Sequence, residues 1–573
     1  MVDLLLNLQA PHRHLVEVSL RLVPRTPVLR LRLPAWTPGS YLIRDYVRQL
    51  EGLEAHQGER RLALRRLDPS CWELACDPSA GELEIRYRVM ANELTVRTCH
   101  LDSEHGFLAL AAVVLELEGE RWSPHRLRLQ LPEGWRPFLT LPEQADGSWL
   151  APDFDALVDS PLEVGPHREH RFVVRGVPHR WVTWGGTPEQ GDWLLERFPA
   201  LFDAVAAVAE SCCRLMGSGP PPCREYLVVL HLTDDGYGGL EHDHGTVLVY
   251  GRRALETPNG LRKLLQLFGH EYLHQWNVRR LRPAELTPID YQRPPIVPTL
   301  WFAEGITSYL DQFLPLLAGR SSAADLLDDL GEDLSRYRLT PGRSVQSLRD
   351  SSQEAWVKLY RADAYAADSQ ISYYLKGAVL ALVLDLHLRR QGSCLAAVLR
   401  GLWQELGQWG RGYREADLLA AFAAAAPDLA ALLPAWLEGL EDPDLDGYLW
   451  DVGMQLTAVT APHPWIGLVA RREAGQLTAS RVHRDGPAEA AGVMVGDELL
   501  ALEGRRLRKP EELGPGLLPG QAQELLICRR GQLRALTLRP GPARTERWSL
   551  EEDPQATPEA MERRQRWLDL VPC

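Results

Sequence analysis

The 573-residue sequence has no apolar run long enough to span a membrane. Its two most apolar stretches are residues 378–388, which contain Asp385 and His387, and residues 418–436, which contain two prolines. The first eighteen residues also lack the basic start, long apolar core and cleavage site of a secretory signal. These absences predict a cytoplasmic protein without a membrane partner.

The sequence also lacks an excess of positive charge and cysteines at metal-binding spacing. Lys and Arg number 63 against 77 Asp and Glu, which gives a formal net charge of -14 at pH 7. This balance leaves no electrostatic footprint for nucleic acid, and it disfavours an anionic membrane surface. The nine cysteines show no C-x-x-C spacing, so we expect free thiols in a reducing compartment.

The first third of the chain alternates apolar and charged residues with a period of two. The alternation runs through residues 16–22, 29–33, 83–89 and 127–131. One apolar and one charged face, repeated over short segments, is typical of antiparallel strands. The pattern predicts an antiparallel β domain over residues 1–165.

The pattern changes after about residue 185, and the next domain combines strands and helices. The predicted elements are a helix (193–215), an apolar strand (226–232), a glycine-rich turn (234–239), a strand (246–250) and a helical region (261–436). Strands followed by helices predict an α+β domain over residues 166–455. Short strands and turns return at residues 460–542. The tail, 543–573, is charged and is predicted to be helical from Pro558 onward.

The clearest chemical motif is His270-Glu271-Tyr272-Leu273-His274, inside the predicted helical region. Four residues make slightly more than one helical turn, so both imidazoles project from one face and can bind one metal ion. Glu271 lies beside them, where it can activate the water that attacks a peptide bond.

A third ligand is expected from Trp301-Phe302-Ala303-Glu304-Gly305, which opens another helical stretch. A catalytic zinc of this type takes two histidines, one carboxylate and an open position. Packing of the two helices could bring Glu304 to the metal. The motif alone also permits a plain role for Glu304, as a carboxylate favoured by the helix dipole.

At these residues the sequence resembles the gluzincin peptidases, and most closely the glycyl aminopeptidase family, PDZ-containing relatives of the alanyl-type aminopeptidases. The resemblance rests on residues 270–283, 289–291 and 301–309, and in the first third on 34–44 and 157–165. It implies a thermolysin-like catalytic domain that holds one zinc ion per chain through His270, His274 and Glu304. The interval between His274 and Glu304 is longer than in the alanyl type.

The segment Gly238-Gly239-Leu240-Glu241-His242 resembles the motif with which aminopeptidases recognise a free N-terminus. The resemblance implies that Gly238 and Gly239 let the substrate backbone approach and that Glu241 binds its amine. The following strand, 246–250, could then pair with the extended substrate. Without the resemblance, the glycines would indicate no more than a hairpin turn.

Tyr374, in Tyr374-Leu375-Lys376-Gly377, resembles the tyrosine that donates a hydrogen bond to the tetrahedral oxyanion. A phenol suits this role because it is neutral at pH 7 and a good donor. The adjacent Tyr373 fits the same role, and a buried structural tyrosine is the remaining alternative.

Residues 460–542 resemble a PDZ domain, in which Ile466, Gly467 and Leu468 would form the carboxylate-binding loop. Such domains bind a peptide or a protein C-terminus by strand addition, unless this one is only a structural appendage.

The sequence thus predicts a multidomain α+β zinc aminopeptidase acting on peptides with a free N-terminus. The resemblance implies a preference for N-terminal Gly or Ala. The alternatives are a zinc endopeptidase on the same site and a PDZ peptide-binding protein with an inactive peptidase fold.

Overall fold

The computed structural model describes residues 1–185 and 193–570. Residues 186–192 of the predicted catalytic domain and 571–573 of the predicted tail lie outside the described residues. The chain forms two units. The first comprises Met1–Val297, Phe313–Ser321 and Val398–Leu418. The second comprises Pro298–Gln312, Ser322–Ala397 and Leu419–Cys573. Domain boundaries at 165, 455 and 542 stay predictions.

The strands, in chain order, are β1 (Val2–Asn7), β2 (Leu15–Leu22), β3 (Val28–Arg32), β4 (Leu50–Gln57), β5 (Arg60–Leu62), β6 (Leu64–Asp68), β7 (Cys71–Ala75), β8 (Leu83–Met90), β9 (Cys99–Leu101), β10 (Gly106–Leu108), β11 (Glu116–Leu117), β12 (His125–Gln130), β13 (Arg136–Phe138), β14 (Trp149–Ala151), β15 (Leu162–Gly165), β16 (Glu169–Val174), β17 (Val177–Trp184), β18 (Tyr226–Thr233), β19 (Tyr237–His242), β20 (Gly245–Gly251), β21 (Met454–Thr460), β22 (Leu468–Glu473), β23 (Gln476–Val482), β24 (Glu498–Leu502), β25 (Arg505–Arg506), β26 (Gln523–Arg529), β27 (Gln532–Leu538) and β28 (Thr545–Glu552).

The α-helices are α1 (Phe154–Asp159), α2 (Trp193–Arg197), α3 (Leu201–Leu215), α4 (Arg252–Leu255), α5 (Gly260–Leu273), α6 (Ile306–Leu310), α7 (Leu314–Leu317), α8 (Ala323–Leu339), α9 (Leu348–Gln353), α10 (Ala366–Ser369), α11 (Tyr373–Arg390), α12 (Leu395–Glu405), α13 (Glu415–Ala425), α14 (Leu429–Glu438), α15 (Leu445–Asp451), α16 (Pro487–Ala490) and α17 (Pro558–Leu568).

The period-two segments of the first third are strands, as predicted. β2 alternates buried residues with more exposed ones along its length, because one face packs on the core and the other faces water. The sheets have the strand orders β14-β12-β1-β2-β8-β4-β5, β13-β15-β10-β9 and β11-β3-β7-β6. The purely antiparallel prediction is wrong at one pair, since β1 and β12 run parallel. Alternation reports only which face is buried, so it cannot reveal strand direction.

A five-stranded mixed sheet follows, with the order β16-β17-β18-β20-β19. The apolar strand predicted at 226–232 is β18, which is buried almost throughout between two parallel neighbours. The strand predicted at 246–250 is β20, but it is paired on both edges, with β18 and β19. It therefore has no edge for a substrate strand. The edge strand on that side of the sheet is β19, and the edge strand on the other side is β16.

The predicted helix at 193–215 is two helices, α2 and α3, with a break between them. Helix α5 begins after Asn259 and ends at Leu273. It packs its apolar side, including Leu264, Phe268 and Tyr272, into the core of the first unit. This packing fixes the helix that carries His270 and Glu271.

In the second unit, residues 301–305 form a π-helical turn that continues into α6. Helix α11 is buried along almost its whole length. Strands β21 and β28 pair antiparallel, and the chain between them forms a sheet with the order β22-β23-β24-β26-β27 and its own apolar core.

The tail contains the predicted helix as α17, but it is not helical throughout, because β28 lies within it. Strand β28 pairs with β21, almost a hundred residues earlier, a long-range partner that local composition cannot show.

No disulfide joins any of the eight cysteines in the described ranges. No helix of the described chain is long and apolar enough to cross a membrane. Cytoplasmic location stays a prediction.

Candidate active site

The two histidines of the helical motif lie on one face at the end of α5. His270 is in the last turn, and His274 follows the helix as its cap residue with right-handed helical dihedrals (φ -59, ψ -14). The helical path therefore continues through His274. The ring centroids are 4.6 Å apart with the planes perpendicular, so both imidazoles are placed for one ion.

The hydrogen bond of His274 identifies the nitrogen that could bind a metal. Nδ1 lies 2.6 Å from the backbone oxygen of Asn277. A carbonyl only accepts hydrogen bonds, so Nδ1 carries the proton and Nε2 carries the lone pair. Metal-binding histidines typically donate their other N–H in this way.

Glu271 is buried against the backbone of the edge strand β19. A Cβ atom on Gly239 would lie 2.0 Å from Glu271 Oε1, so only glycine allows the strand to lie this close to the carboxylate. The sequence predicted that Gly239 makes room for the substrate, whereas here it makes room for Glu271. Gly238 has open space at the corresponding position.

Glu241 is also on β19, two residues beyond Gly239, and its side chain is only 4% exposed. The carboxylates of Glu241 and Glu271 and one ring nitrogen of His274 lie within 4.8 Å of one another. The glycine-rich turn predicted at 234–239 is wrong at its end, because residues 237–242 are a strand paired with β20. Alternation along that strand puts Gly239 and Glu241 on the same face.

Gly39 was not predicted to take part in the site. It has a left-handed backbone (φ +80), and a Cβ there would lie 2.7 Å from both carboxylate oxygens of Glu241. Its loop is anchored by Trp36, whose indole N–H donates to the backbone oxygen of Asp290 over 2.8 Å. The sequence feature that could have indicated Gly39 is the Pro38-Gly39 pair, which lies in the segment 34–44 of the family resemblance.

A buried arginine connects two segments of the family resemblance, 157–165 and 270–283, with the turn after β19. Arg279 donates to Asp159 over 2.7 Å and to Asp243 over 2.8 Å. Burial alone would raise the pKa of Asp243, but Arg279, Arg280 and Arg282 outweigh it and hold that pKa well below its usual range. This ionised network fixes the β19–β20 turn relative to the chain that follows α5.

Glu304 lies in the π-helical turn of the second unit and is 2% exposed. Single π turns in helices occur frequently at functional sites. The turn packs directly on α11, since a Cβ on Gly305 would lie 2.5 Å from the Cα of Gly377. These two glycines, missed as a pair by sequence reasoning, fix Glu304 relative to the helix that carries Tyr374.

Tyr373 and Tyr374 form the first turn of α11, which Ser372 caps. Their rings stack with centroids 4.7 Å apart, and their hydroxyls lie 3.4 Å and 3.2 Å from that of Tyr360. Tyr373 is fully buried, whereas Tyr374 is partly exposed. A substrate could therefore reach Tyr374 more easily.

Ile466, Gly467 and Leu468 precede and begin the edge strand β22. Gly467 is left-handed (φ +68), and the oxygens of Ile466 and Gly467 accept from the amides of Ala488 and His483, both over 2.9 Å. The loop carbonyls are thus held by the protein.

The donor types fit a zinc ion. His270 and His274 of the first unit supply two imidazoles, and Glu304 of the second unit is a buried carboxylate. Two imidazoles and one carboxylate are a common donor set of catalytic zinc, and the protonation of His274 at Nδ1 suits coordination through Nε2.

Comparison with known proteins gives two family matches: the Peptidase M61 N-terminal domain over residues 3–166 and the M61 glycyl aminopeptidase over residues 263–380. Among solved structures, an aminopeptidase N family protein from Idiomarina loihiensis is 28% identical with a TM-score of 0.92, and the match covers 99% of this chain and 100% of that one. No curated protein matches significantly.

Two further solved structures are more distant. An M1 zinc metallopeptidase from Deinococcus radiodurans is 17% identical with a TM-score of 0.47, covering 78% of this chain and 94% of that one. Legionella pneumophila aminopeptidase A in complex with aspartic acid is 13% identical with a TM-score of 0.47, covering 97% and 57%.

Proposed function

Because this zinc metallopeptidase carries the N-terminal and catalytic domains of the M61 glycyl aminopeptidase family, we propose that it removes single residues from the free N-terminus of peptides. Gly and Ala would be the preferred first residues. This preference is supported by the description of the family.

His270, His274 and Glu304 are the proposed ligands of one zinc ion per chain. The ion would polarise the scissile carbonyl and lower the pKa of a water molecule. The donor types, the 4.6 Å spacing of the two imidazole rings and the proton on Nδ1 of His274 support the assignment.

Glu271 is the proposed general base. It would take the proton of the attacking water and pass it to the leaving amine. Its burial against Gly239 leaves the carboxylate little rotational freedom. Tyr374 would donate a hydrogen bond to the oxyanion, and its partial exposure favours it over the buried Tyr373.

The position of Glu241 is the observation that carries the proposal for an exopeptidase. Its carboxylate is within 4.8 Å of both Glu271 and His274, about one residue from where the scissile bond would lie. A buried carboxylate there would bind the ammonium of a free N-terminus. The substrate would lie along the edge strand β19, where Gly238 leaves open space for it.

The decisive experiment compares free and N-acetylated forms of the same glycyl and alanyl peptides. We expect the wild-type protein to cleave the free peptides and barely to touch the acetylated ones. Equal cleavage of both would establish the endopeptidase alternative on the same zinc site. If zinc-loaded protein cleaved neither form, the alternative of a peptide-binding protein with an inactive peptidase fold would be supported. The presence of His270, Glu271, His274 and Glu304 argues against that alternative.

For residues 460–542 we propose a PDZ domain that binds an extended peptide or a protein C-terminus. Strand β22 is at the edge of its sheet, and the loop before it contains Ile466, Gly467 and Leu468. A peptide could add to this edge while its carboxylate meets the loop. Titration with C-terminal peptides, with and without an amidated end, tests the proposal.

A further inference from the structure

A second group of imidazoles and carboxylates is buried in the first unit, and it shares no residue with the proposed zinc site. It contains His100, Asp102, His105, Glu163, His167 and His231. These residues come from β9, the β9–β10 turn, β15 and the loop after it, and β18. Nothing in the proposed peptidase chemistry uses them.

Glu163 is the centre of this group and has no exposed surface. Nitrogens of His105, His167 and His231 lie 2.9, 2.8 and 2.9 Å from its carboxylate oxygens. One carboxylate faces three imidazoles, and a carboxylate accepts hydrogen bonds, so the facing ring nitrogens are N–H donors.

This arrangement fixes the tautomer of the His105 imidazole. Its Nδ1 donates to Glu163, so the lone pair is on Nε2. Nε2 is buried and has no hydrogen-bond partner among the residues that the structure describes, which is costly for a polar atom. A histidine whose second nitrogen is held by a carboxylate is the usual arrangement around a bound metal.

Two more donors are close to His105. His100, Asp102 and His105 each place one ligand atom within 4.8 Å of the others, and His100 Nε2 lies 3.1 Å from Asp102 Oδ2. The side chains of His100 and Asp102 are 17% and 29% exposed, so an ion could enter from solvent. Because Nδ1 of His105 is held by Glu163, Nε2 is the nitrogen available to it.

We propose that His100, Asp102 and His105 bind a second divalent transition-metal ion, with zinc as the best chemical match, and that Glu163 orients His105 from behind. Two imidazoles and one carboxylate suit zinc and leave a position for water. The ion would close the β9–β10 hairpin, in which β9 is the edge strand of its sheet. It is a structural site, separate from catalysis.

Zinc content of the full-length protein tests the proposal, after metal is stripped and zinc is added back in excess and washed out. We expect two zinc ions per chain in wild type and one fewer in both His100→Ala and Asp102→Asn, with peptidase activity kept. Glu163→Gln should weaken the second ion about 10–100-fold. His274→Ala should lose only the catalytic ion, so failure at either site is recognised separately.

His56→Ala is the matched control. His56 also lies near a carboxylate, 3.4 Å from Glu54, but it belongs to none of the candidate metal groups in the described chain. This variant should keep the full zinc content. Asp102→Asn preserves side-chain size, and circular dichroism checks that it folds. If folded Asp102→Asn and His100→Ala hold as much zinc as wild type, the group is a hydrogen-bond network only, and the proposal is wrong.

Trp184 provides an independent readout, because its ring stacks on His105 with centroids 4.1 Å apart. Cobalt(II) bound by His105 should quench Trp184 fluorescence. The quenching should be absent in Trp184→Phe and in Asp102→Asn, and retained in His274→Ala. Equal quenching in wild type and Asp102→Asn would contradict the site.

Discussion

At the scale of single residues, the proposed metal ligands and the proposed base lie next to one another at the end of α5. Glu271→Gln removes the base but no ligand, so we expect it to keep zinc and to lower kcat by roughly 10²–10⁴ or more. His274→Ala should lose the catalytic zinc ion. Zinc analysis with turnover numbers checks both, and a Glu271→Gln enzyme with most of its activity would show that another group is the base.

Glu241 is the residue proposed to bind the free amine of the substrate. A charge-assisted contact of this kind contributes about 1.5–3 kcal/mol, so Glu241→Gln should lower kcat/KM on free-amine peptides roughly 10–200-fold, at about 1.4 kcal/mol per decade. Glu256→Gln, on an exposed residue after α4, is the matched control and should change little. An unchanged Glu241→Gln enzyme would assign amine recognition elsewhere.

The roles of the two adjacent tyrosines of α11 can be distinguished by removing each hydroxyl in turn. Tyr374→Phe should lower kcat by roughly 10²–10³ with little change in KM, the usual scale for one oxyanion donor. Tyr373→Phe should have a much smaller effect, because Tyr373 is fully buried. Steady-state kinetics on one substrate compare the two, and the opposite ranking would move the role to Tyr373.

At the scale of elements, the edge strand β19 lies close to α5 because Gly239 has no side chain. Gly239→Ala would put a Cβ 2.0 Å from Glu271 Oε1, so the carboxylate must move. Displacing a catalytic group by about 1 Å costs about 10²-fold in rate. We expect that loss in kcat, with zinc content unchanged.

Gly238→Ala is the control on the same strand, since a Cβ there meets nothing within 4 Å. Its kcat should stay close to wild type, and any effect should fall on KM, because Gly238 is proposed to line the substrate. If the two variants lose kcat equally, the close approach of Gly239 to Glu271 is not what matters.

The residues of the helical motif could be read from the sequence because their spacing is local. Four positions place His270 and His274 on one face whatever the rest of the chain does. The role of Gly39 could not be read in this way, because it contacts Glu241 from a loop two hundred positions earlier. The sequence predicts a turn at Gly238 and Gly239, whereas both lie in strand β19, and the close approach at Gly239 is to Glu271 on a helix later in the chain.

At the scale of the whole molecule, residues 461–544 are an insertion between two paired strands. Thr460 pairs with Thr545 at the end of the β21–β28 ladder, and Trp465 pairs with Gly541 beyond it. The two ends of the insertion are therefore close together, which favours its removal. Two hydrogen bonds to Asp368 of α10 would be lost: the Arg481 side chain donates over 2.6 Å and the backbone N–H of Arg484 over 3.4 Å.

Replacing residues 464–540 by a short linker should therefore leave zinc content and kcat on dipeptide-sized substrates within about threefold of wild type, since the insertion supplies no catalytic group. Thermal unfolding measured alongside separates a folding defect from a catalytic one. Arg481→Ala is the matched variant, which loses the side-chain hydrogen bond to Asp368 but keeps the insertion. A folded deletion without zinc would show that the insertion holds the site together.

The sequence by itself determined the helical spacing of His270, Glu271 and His274, most strands of the first third and the helix at residue 558, because each follows from spacing or periodicity within a few residues. Only the tertiary structure decided that β1 and β12 run parallel, that β19 rather than β20 is the edge strand, and that Gly39 and Gly239 make room for Glu241 and Glu271. The cluster around Glu163 likewise joins residues 100–105, 163–167 and 231. Partner choice between distant segments depends on packing, which local residue patterns do not contain.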